Sequence, residues 1–264
     1  MRVVVLASGS TGNCSLIMTR SHKVLMDSGL SGKQTKALLA EVNVDIRDID
    51  LVFLSHDHSD HSKGLGVLMR RYPKIAAYAN SGTWQYLLGS HKVGKLPAEQ
   101  MNVIEPGQTL TFDELQVTAF ATSHDASEPQ YYVFSSHHKR LACLTDTGYV
   151  SAQVEQVIRA SDAYLMEFNY DTIMLRNGPY SWSLKDRILS DCGHLSNQEA
   201  AEALADVVSE RTHFIFLAHR SQHNNTKAKA HAVAAQVLAQ QGNLRADVEL
   251  IDTDPDCPTK MIHL

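Results

Sequence analysis

The sequence predicts an α/β protein of two β-sheets with helices outside both, and three observations lead there. Short apolar runs bounded by turn residues fall into two groups along the 264 residues. The segments between them carry one apolar stripe each at helical spacing. No repeat, low-complexity linker or composition shift divides the chain, so one domain over residues 1–264 is expected.

The first group opens with strands at residues 3–7, 14–19 and 23–26, bent into a meander by Gly9, Gly12 and Asn13. Residues 31–42 place Ala37, Leu38 and Val42 at helical spacing, and 51–54 form a continuous apolar run of buried-strand type. A helix at 64–72 and a strand at 76–79 follow. Further strands are expected at 116–121, 130–135 and 140–144. The second group begins with a helix at 152–159 and a strand at 163–167. It continues with a helix at 197–208 capped by Ser196 or Asn197, a buried strand at 214–217, and an Ala/Gln-rich helix at 226–241 stopped by Gly242.

Composition narrows the function. With 24 basic and 29 acidic residues the formal charge is -5, so there is no overall basic field to attract nucleic acid or a membrane, and an anionic substrate must be held locally. Cys14, Cys143, Cys192 and Cys257 form no CxxC pair, which argues against a zinc ribbon or redox motif and fits a reduced, cytoplasmic setting. The apolar run after Met1-Arg2 is too short for a signal peptide, and no stretch nears the roughly 20 apolar residues of a membrane span.

The informative feature is the run His56-Asp57-His58-Ser59-Asp60-His61 at the exit of the 51–54 strand. Three imidazoles and two carboxylates in six residues are costly to bury without a partner, and a cation removes that cost. These donors suit zinc, manganese or iron. His56 and His58, alternating by two, can point to one metal, while Asp60 and His61 turn towards a second. A solvated polar loop is the bland alternative. One loop does not complete two coordination shells, and three further donors sit in the same context just past strand ends: His124, Asp146 and His219.

The run HDHSDH resembles the HxHxDH signature of the metallo-β-lactamase superfamily, and His124, Asp146 and His219 fall in the order of that superfamily's remaining metal motifs. The resemblance covers nearly the whole chain. It implies a four-layer αββα sandwich, two mixed β-sheets flanked by helices, with two divalent metal ions (Zn2+ or Mn2+) at one edge. His56, His58 and His124 would hold the first, Asp60, His61 and His219 the second, and Asp146 would bridge them. The segments Ser8-Gly9-Ser10-Thr11-Gly12-Asn13, Glu167-Phe168-Asn169-Tyr170-Asp171, Gly193-His194-Leu195-Ser196-Asn197 and His219-Arg220-Ser221-Gln222-His223-Asn224-Asn225 are similar to the YycJ/WalJ branch, which is associated with 5'-to-3' exonuclease action on DNA. Tyr170 stands where that branch commonly has His, and Arg220 where it has Leu.

The implied chemistry is hydrolysis of a phosphodiester. Two cations about 3.5 to 4 Å apart lower the pKa of a shared water and stabilise charge on a phosphoryl oxygen. The bridging hydroxide would be the nucleophile, with Asp60 also able to accept its proton. His194, between a glycine and a helix start, is placed to bind a phosphate oxygen or protonate the leaving oxygen. Asn224 and Asn225 are expected to orient the loop bearing His219. Arg176, Lys185 and Arg187 are candidate phosphate contacts, interleaved with Tyr180 and Trp182, which could stack on a base; a solvated helix face with partly buried aromatics weighs equally. DNA is the expected partner and RNA a further candidate, with DNA repair as the setting. The alternatives are a hydrolase of the same fold acting on a small phosphodiester, thioester or lactone, or a metal-stabilised binding protein without turnover.

Overall fold

The computed structural model describes residues 1–240 and 247–264, so Gln241 and Gly242, the expected end and stop of the last long helix, lie outside the described residues. In chain order the elements begin β1 (Arg2–Ala7), β2 (Cys14–Met18), β3 (Lys23–Met26), α1 (Gly32–Glu41), β4 (Leu51–Phe53), α2 (Ser59–Ser62), α3 (Leu65–Arg71), β5 (Ala76–Ala79) and α4 (Ser81–Ser90). Next come β6 (Met101–Val103), β7 (Thr109–Phe112), β8 (Leu115–Ala121), β9 (Gln130–Ser136), β10 (Lys139–Leu144), α5 (Ala152–Ile158) and β11 (Ala163–Glu167). The chain closes with α6 (Thr172–Asn177), α7 (Trp182–Ile188), α8 (Asn197–Val207), β12 (Phe214–Ala218), α9 (Lys227–Ala239), β13 (Glu249–Asp252) and β14 (Ile262–His263). Two compact units result: Met1–Ala121 with Ala126–His138 and Asp254–Leu264, and Thr122–Asp125 with Lys139–Thr253.

The first unit contains a sheet of order β14-β1-β2-β3-β4-β5-β6. It is antiparallel from β14 to β3 and parallel from β3 to β6. β1 to β4 are buried on both faces, which is why they read as continuous apolar runs rather than alternating ones. One core gathers Val4, Leu16, Leu25 and Val52 with Leu39 of α1, Leu68 of α3 and Leu87 of α4. A second is aromatic: Phe53 stacks on Tyr78 at 4.9 Å and meets Phe112, Tyr132 and Phe134 edge-on, binding the antiparallel meander β7-β8-β9 to β4 and β5. The Tyr132 hydroxyl donates to the Leu54 carbonyl at 2.6 Å, satisfying the last strand residue before the histidine run. α1 starts where expected, because Ser31 and Gln34 form a capping box.

The second unit is built on the parallel strands β10-β11-β12-β13. α8 starts at a Ser196–Glu199 capping box and turns Ala200, Ala201 and Leu204 inward; α9 does the same with Ala230, Ala234 and Leu238, and the small alanines let the two helices lie close. Among the described residues no helix is long and apolar enough to cross a membrane.

Several elements escape the periodicity reading. α4 carries two glycines, while α6 and α7 are six and seven residues long and β6 and β7 three and four, each offering too little length for a clear apolar period.

One buried carboxylate organises the start of the parallel strands. Asp162 accepts from Lys139 Nζ at 2.8 Å, Arg140 N at 2.9 Å and Arg211 NH2 at 3.0 Å. Burial opposes its ionisation, but these donors outweigh it and hold the carboxyl below its ordinary value. The stabilisation is therefore present above the unfolded carboxylate pKa of about 4 and is lost as pH falls through the lower folded value. Asp162→Ala is expected to cost about 2–4 kcal/mol at neutral pH. Melts at neutral and acidic pH check this: the variant should lose less stability on acidification than the wild type.

Candidate metal centre

In the first unit the histidine run leaves β4 and is held by buried groups on the preceding turns. Ser55 donates through N and Oγ to Asp27 Oδ1 at 2.8 and 2.9 Å. The other oxygen, Asp27 Oδ2, lies 2.8 Å from His61 Nδ1. A carboxylate so placed only accepts, so His61 carries its proton on Nδ1 and presents an Nε2 lone pair. The Ser55 hydroxyl, its hydrogen given to Asp27, accepts from His56 Nδ1 at 2.9 Å, which fixes the same tautomer there. Asp27 adopts a left-handed φ of 63°, and this strained turn aims both oxygens at the run.

The helical turn α2 carries Asp60 and His61. Asn13 Nδ2 reaches His61 Nε2 at 3.0 Å and Asp60 Oδ2 at 3.3 Å, the two lone pairs a cation would engage. Ring centroids of His56 lie 4.2 Å from His61 and 4.7 Å from His58. Asp57 is turned away, accepting from Ser127 N at 3.0 Å. Gly29 permits the packing: a Cβ there would sit 1.6 Å from the Asp60 carbonyl oxygen.

In the second unit the donors stand just past the ends of parallel strands, where the backbone turns sharply. Asp146 after β10 and His219 after β12 both have a φ of 50°, uncommon for residues with a Cβ. His219 Nε2 lies 3.2 Å from Asp146 Oδ1. At the end of β11 the fully buried Glu167 sets 3.2 Å from His219 Nδ1 and 2.7 Å from His194 Nδ1, while its other oxygen accepts from Thr147 N and Leu195 N. Burial disfavours the Glu167 charge, but His194 and the two imidazole hydrogen bonds prevail and hold the carboxyl below its ordinary value. His124 donates from Nδ1 to the Gly193 carbonyl at 3.0 Å. Ligand atoms of Asp146, Glu167, His194 and His219 all lie within 4.8 Å of one another.

The donor set fits a divalent cation. His56, His61, His124 and His219 each have Nδ1 within hydrogen-bond distance of a protein oxygen, which would leave Nε2 to a cation. Asp27, Ser55 and Glu167, which arrange this, have no assigned role in the sequence reading. Asp27 and Ser55 lie just past β3 and β4 and Glu167 closes β11, and none carries a cluster of metal donors of its own to single it out.

The remaining predicted residues divide. Asn225 Nδ2 donates to the carbonyls of Phe168 and Asn169 and pairs with Asn197, and Asn169 in turn donates to the His219 carbonyl at 2.9 Å. Asn224 is buried, its carbonyl accepting from Asp171 N. Lys185 is buried with Nζ on the Arg176 carbonyl at 2.8 Å, so it ties α7 to α6; Arg176 itself is exposed. Arg187 Nε donates to Asp125, beside His124. Tyr170 sits in a small core with Leu175 and Ile188 that seats α6 and α7, and Arg220 donates to the Thr253 carbonyl, so both departures from the branch pattern have packing roles.

Removing the charge from one anchor should weaken metal binding without unfolding the chain. Asp27→Asn keeps a residue that tolerates a positive φ, and Zn2+ affinity measured by competition with a chromophoric chelator is expected to drop about 10- to 100-fold. An unchanged affinity would contradict the anchoring role.

Residues 22–216 match the family model described as a beta-lactamase superfamily domain. The chain is 45% identical over 261 residues to a protein named exodeoxyribonuclease YycJ from Bacillus anthracis, covering 98% of each. It is 43% identical to exodeoxyribonuclease WalJ from Streptococcus pneumoniae, covering 98% of this chain and 97% of the relative. Among solved structures, Zn(2+)-bound PqqB from Methylobacterium extorquens superposes with a TM-score of 0.74 at 16% identity, covering all of both chains. The metallo-β-lactamase fold protein YhfI from Bacillus subtilis gives 0.72 at 16% identity over 97% of this chain and 98% of that one. These likenesses establish the αββα sandwich, two mixed β-sheets flanked by helices, and the chain belongs to the metallo-β-lactamase superfamily, in its YycJ/WalJ-like branch.

Proposed function

We propose that this chain is a metal-dependent phosphodiesterase that degrades DNA from the 5' end, its two units acting as one hydrolase domain. The family model runs through parts of both units, which supports treating them together. In this reading His56, His58 and His124 hold one divalent cation, Asp60, His61 and His219 a second, and Asp146 bridges, with Zn2+ or Mn2+ as the ions. The observation that carries it is the common anchoring of Nδ1 in His56, His61, His124 and His219, which leaves every Nε2 as a lone-pair donor. Four cysteines without a CxxC pair fit a cytoplasmic enzyme.

Bound there, two divalent cations would acidify a water and neutralise charge growing on the phosphoryl oxygens. The chain supplies the rest. Asp60 is partly exposed and accepts the proton of the attacking water. His194 has Nδ1 fixed by Glu167, so Nε2 is the atom that exchanges a proton with the leaving oxygen. Arg176 and Arg187 lie on the α6 and α7 segment as contacts for flanking phosphates.

Duplex DNA, single-stranded DNA and RNA, each labelled at one end, together with bis-p-nitrophenyl phosphate, test the reading in the metal-loaded protein. The expected result is early release of label from the 5' end of DNA. His194→Ala should lower kcat by about 10²- to 10⁴-fold, with metal content unchanged. Turnover of the small ester alone would overturn the exonuclease reading in favour of a small-molecule hydrolase. Preference for RNA would redirect it to a ribonuclease, and no turnover at all to a binding protein.

A further inference from the structure

The chain has two tryptophans and treats them oppositely. Trp84 is 4% exposed and donates through Nε1 to the Asn102 carbonyl, whereas Trp182, the first residue of α7, is 69% exposed. An exposed indole presents a flat π-face of the kind that stacks on a nucleobase.

This indole is supported from below. Lys185 Nζ lies over the ring, 4.9 Å from its centroid, and is held by the Arg176 carbonyl at 2.8 Å rather than by a carboxylate. The ammonium thus adds positive potential to a flat apolar surface in a chain whose net charge is -5. The platform is also wired to the metal-ligand loops of its own unit. Arg187, on the same helix, pairs with Asp125. Just beyond α7, three successive carbonyls are taken up by the loop around His124: Asp191 by Ser123 Oγ at 2.7 Å, Cys192 by Asp125 N at 3.1 Å and Gly193 by His124 Nδ1 at 3.0 Å. His194 follows immediately.

We propose that Trp182 is a stacking platform for a nucleobase of the DNA strand, charged from beneath by Lys185. The proposal rests on the exonuclease reading and adds a specific contact to it. A π-face accepts every base, which suits an enzyme that must advance along any sequence, and a cation behind the ring favours a base flanked by phosphates. Lys185 is thereby assigned a part in substrate binding through the ring and not by direct contact with a phosphate.

The experiment uses the full chain in chelator, where binding is separated from cleavage. Titration with a single-stranded thymidine oligonucleotide should quench Trp182 emission, while the buried Trp84 stays unaffected. Trp182→Ala should bind roughly 5- to 100-fold more weakly by fluorescence anisotropy, and Trp182→Phe should recover most of the loss. An abasic oligonucleotide with the same phosphates should not distinguish wild type from Trp182→Ala. Because the residue is exposed, both variants should melt with the wild type. If wild type binds and cleaves DNA but Trp182→Ala binds it equally well, this proposal fails and the exonuclease reading stands. A change only in sedimentation would make Trp182 a contact for a second copy of the chain, also overturning it. Wild type that neither binds nor cleaves DNA overturns both.

Discussion

The proposed metal chemistry depends on hydrogen bonds to the Nδ1 atoms of His56, His61, His124, His194 and His219. An imidazole offers a cation a lone pair only on the nitrogen without the proton, and the protein decides which one by placing an oxygen at the other. Asp27 does this for His61, Ser55 for His56, the Gly193 carbonyl for His124, and Glu167 for both His194 and His219. The two carboxylates are buried, which is costly unless each is fully hydrogen-bonded. Each is. Asp27 receives Ser55 N, Ser55 Oγ and His61; Glu167 receives two imidazoles and two backbone amides.

The fold delivers these groups through its strand ends. β3, β4, β10, β11 and β12 are short and apolar, and the polar residues of the proposed site stand at their ends: Asp27 after β3, the histidine run after β4, Asp146 after β10 and His219 after β12, with Glu167 closing β11 itself. Asp27, Asp146 and His219 all adopt positive φ, a cost of about 1–3 kcal/mol each that the buried strands are rigid enough to impose. α6 and α7 contribute as well, because the segment leaving α7 supplies the carbonyls that hold the His124 loop before reaching His194.

Much of this was legible in the sequence, and the misses have physical causes. The strands β1 to β5 and β8 to β12 and the helices α1, α3, α5, α8 and α9 were visible because they bury enough apolar side chains to stand out, whereas β6, β7, β13 and β14 were not expected. α6 and α7 are too short to create an apolar period, so Lys185 read as a candidate phosphate contact or part of a solvated helix face, although it is buried beneath Trp182. The histidine run stood out by density alone. His124, Asp146 and His219 were found because they follow strands. Asp27 and Glu167 follow or end strands too, but a lone carboxylate in such a place carries no density signal, and only the fold brings histidines distant in sequence, His61, His194 and His219, onto it.

The central claim is that protein oxygens preset the site histidines to bind two cations through Nε2. Diffraction from crystals of the chain grown with Zn2+, collected at the zinc absorption edge, tests it most directly. The account predicts two anomalous peaks per chain, one ligated by His56, His58 and His124, the other by Asp60, His61 and His219, with Asp146 between them and every histidine bound through Nε2. A single peak, or ligation through Nδ1 with the Asp27 and Glu167 hydrogen bonds broken, would contradict it.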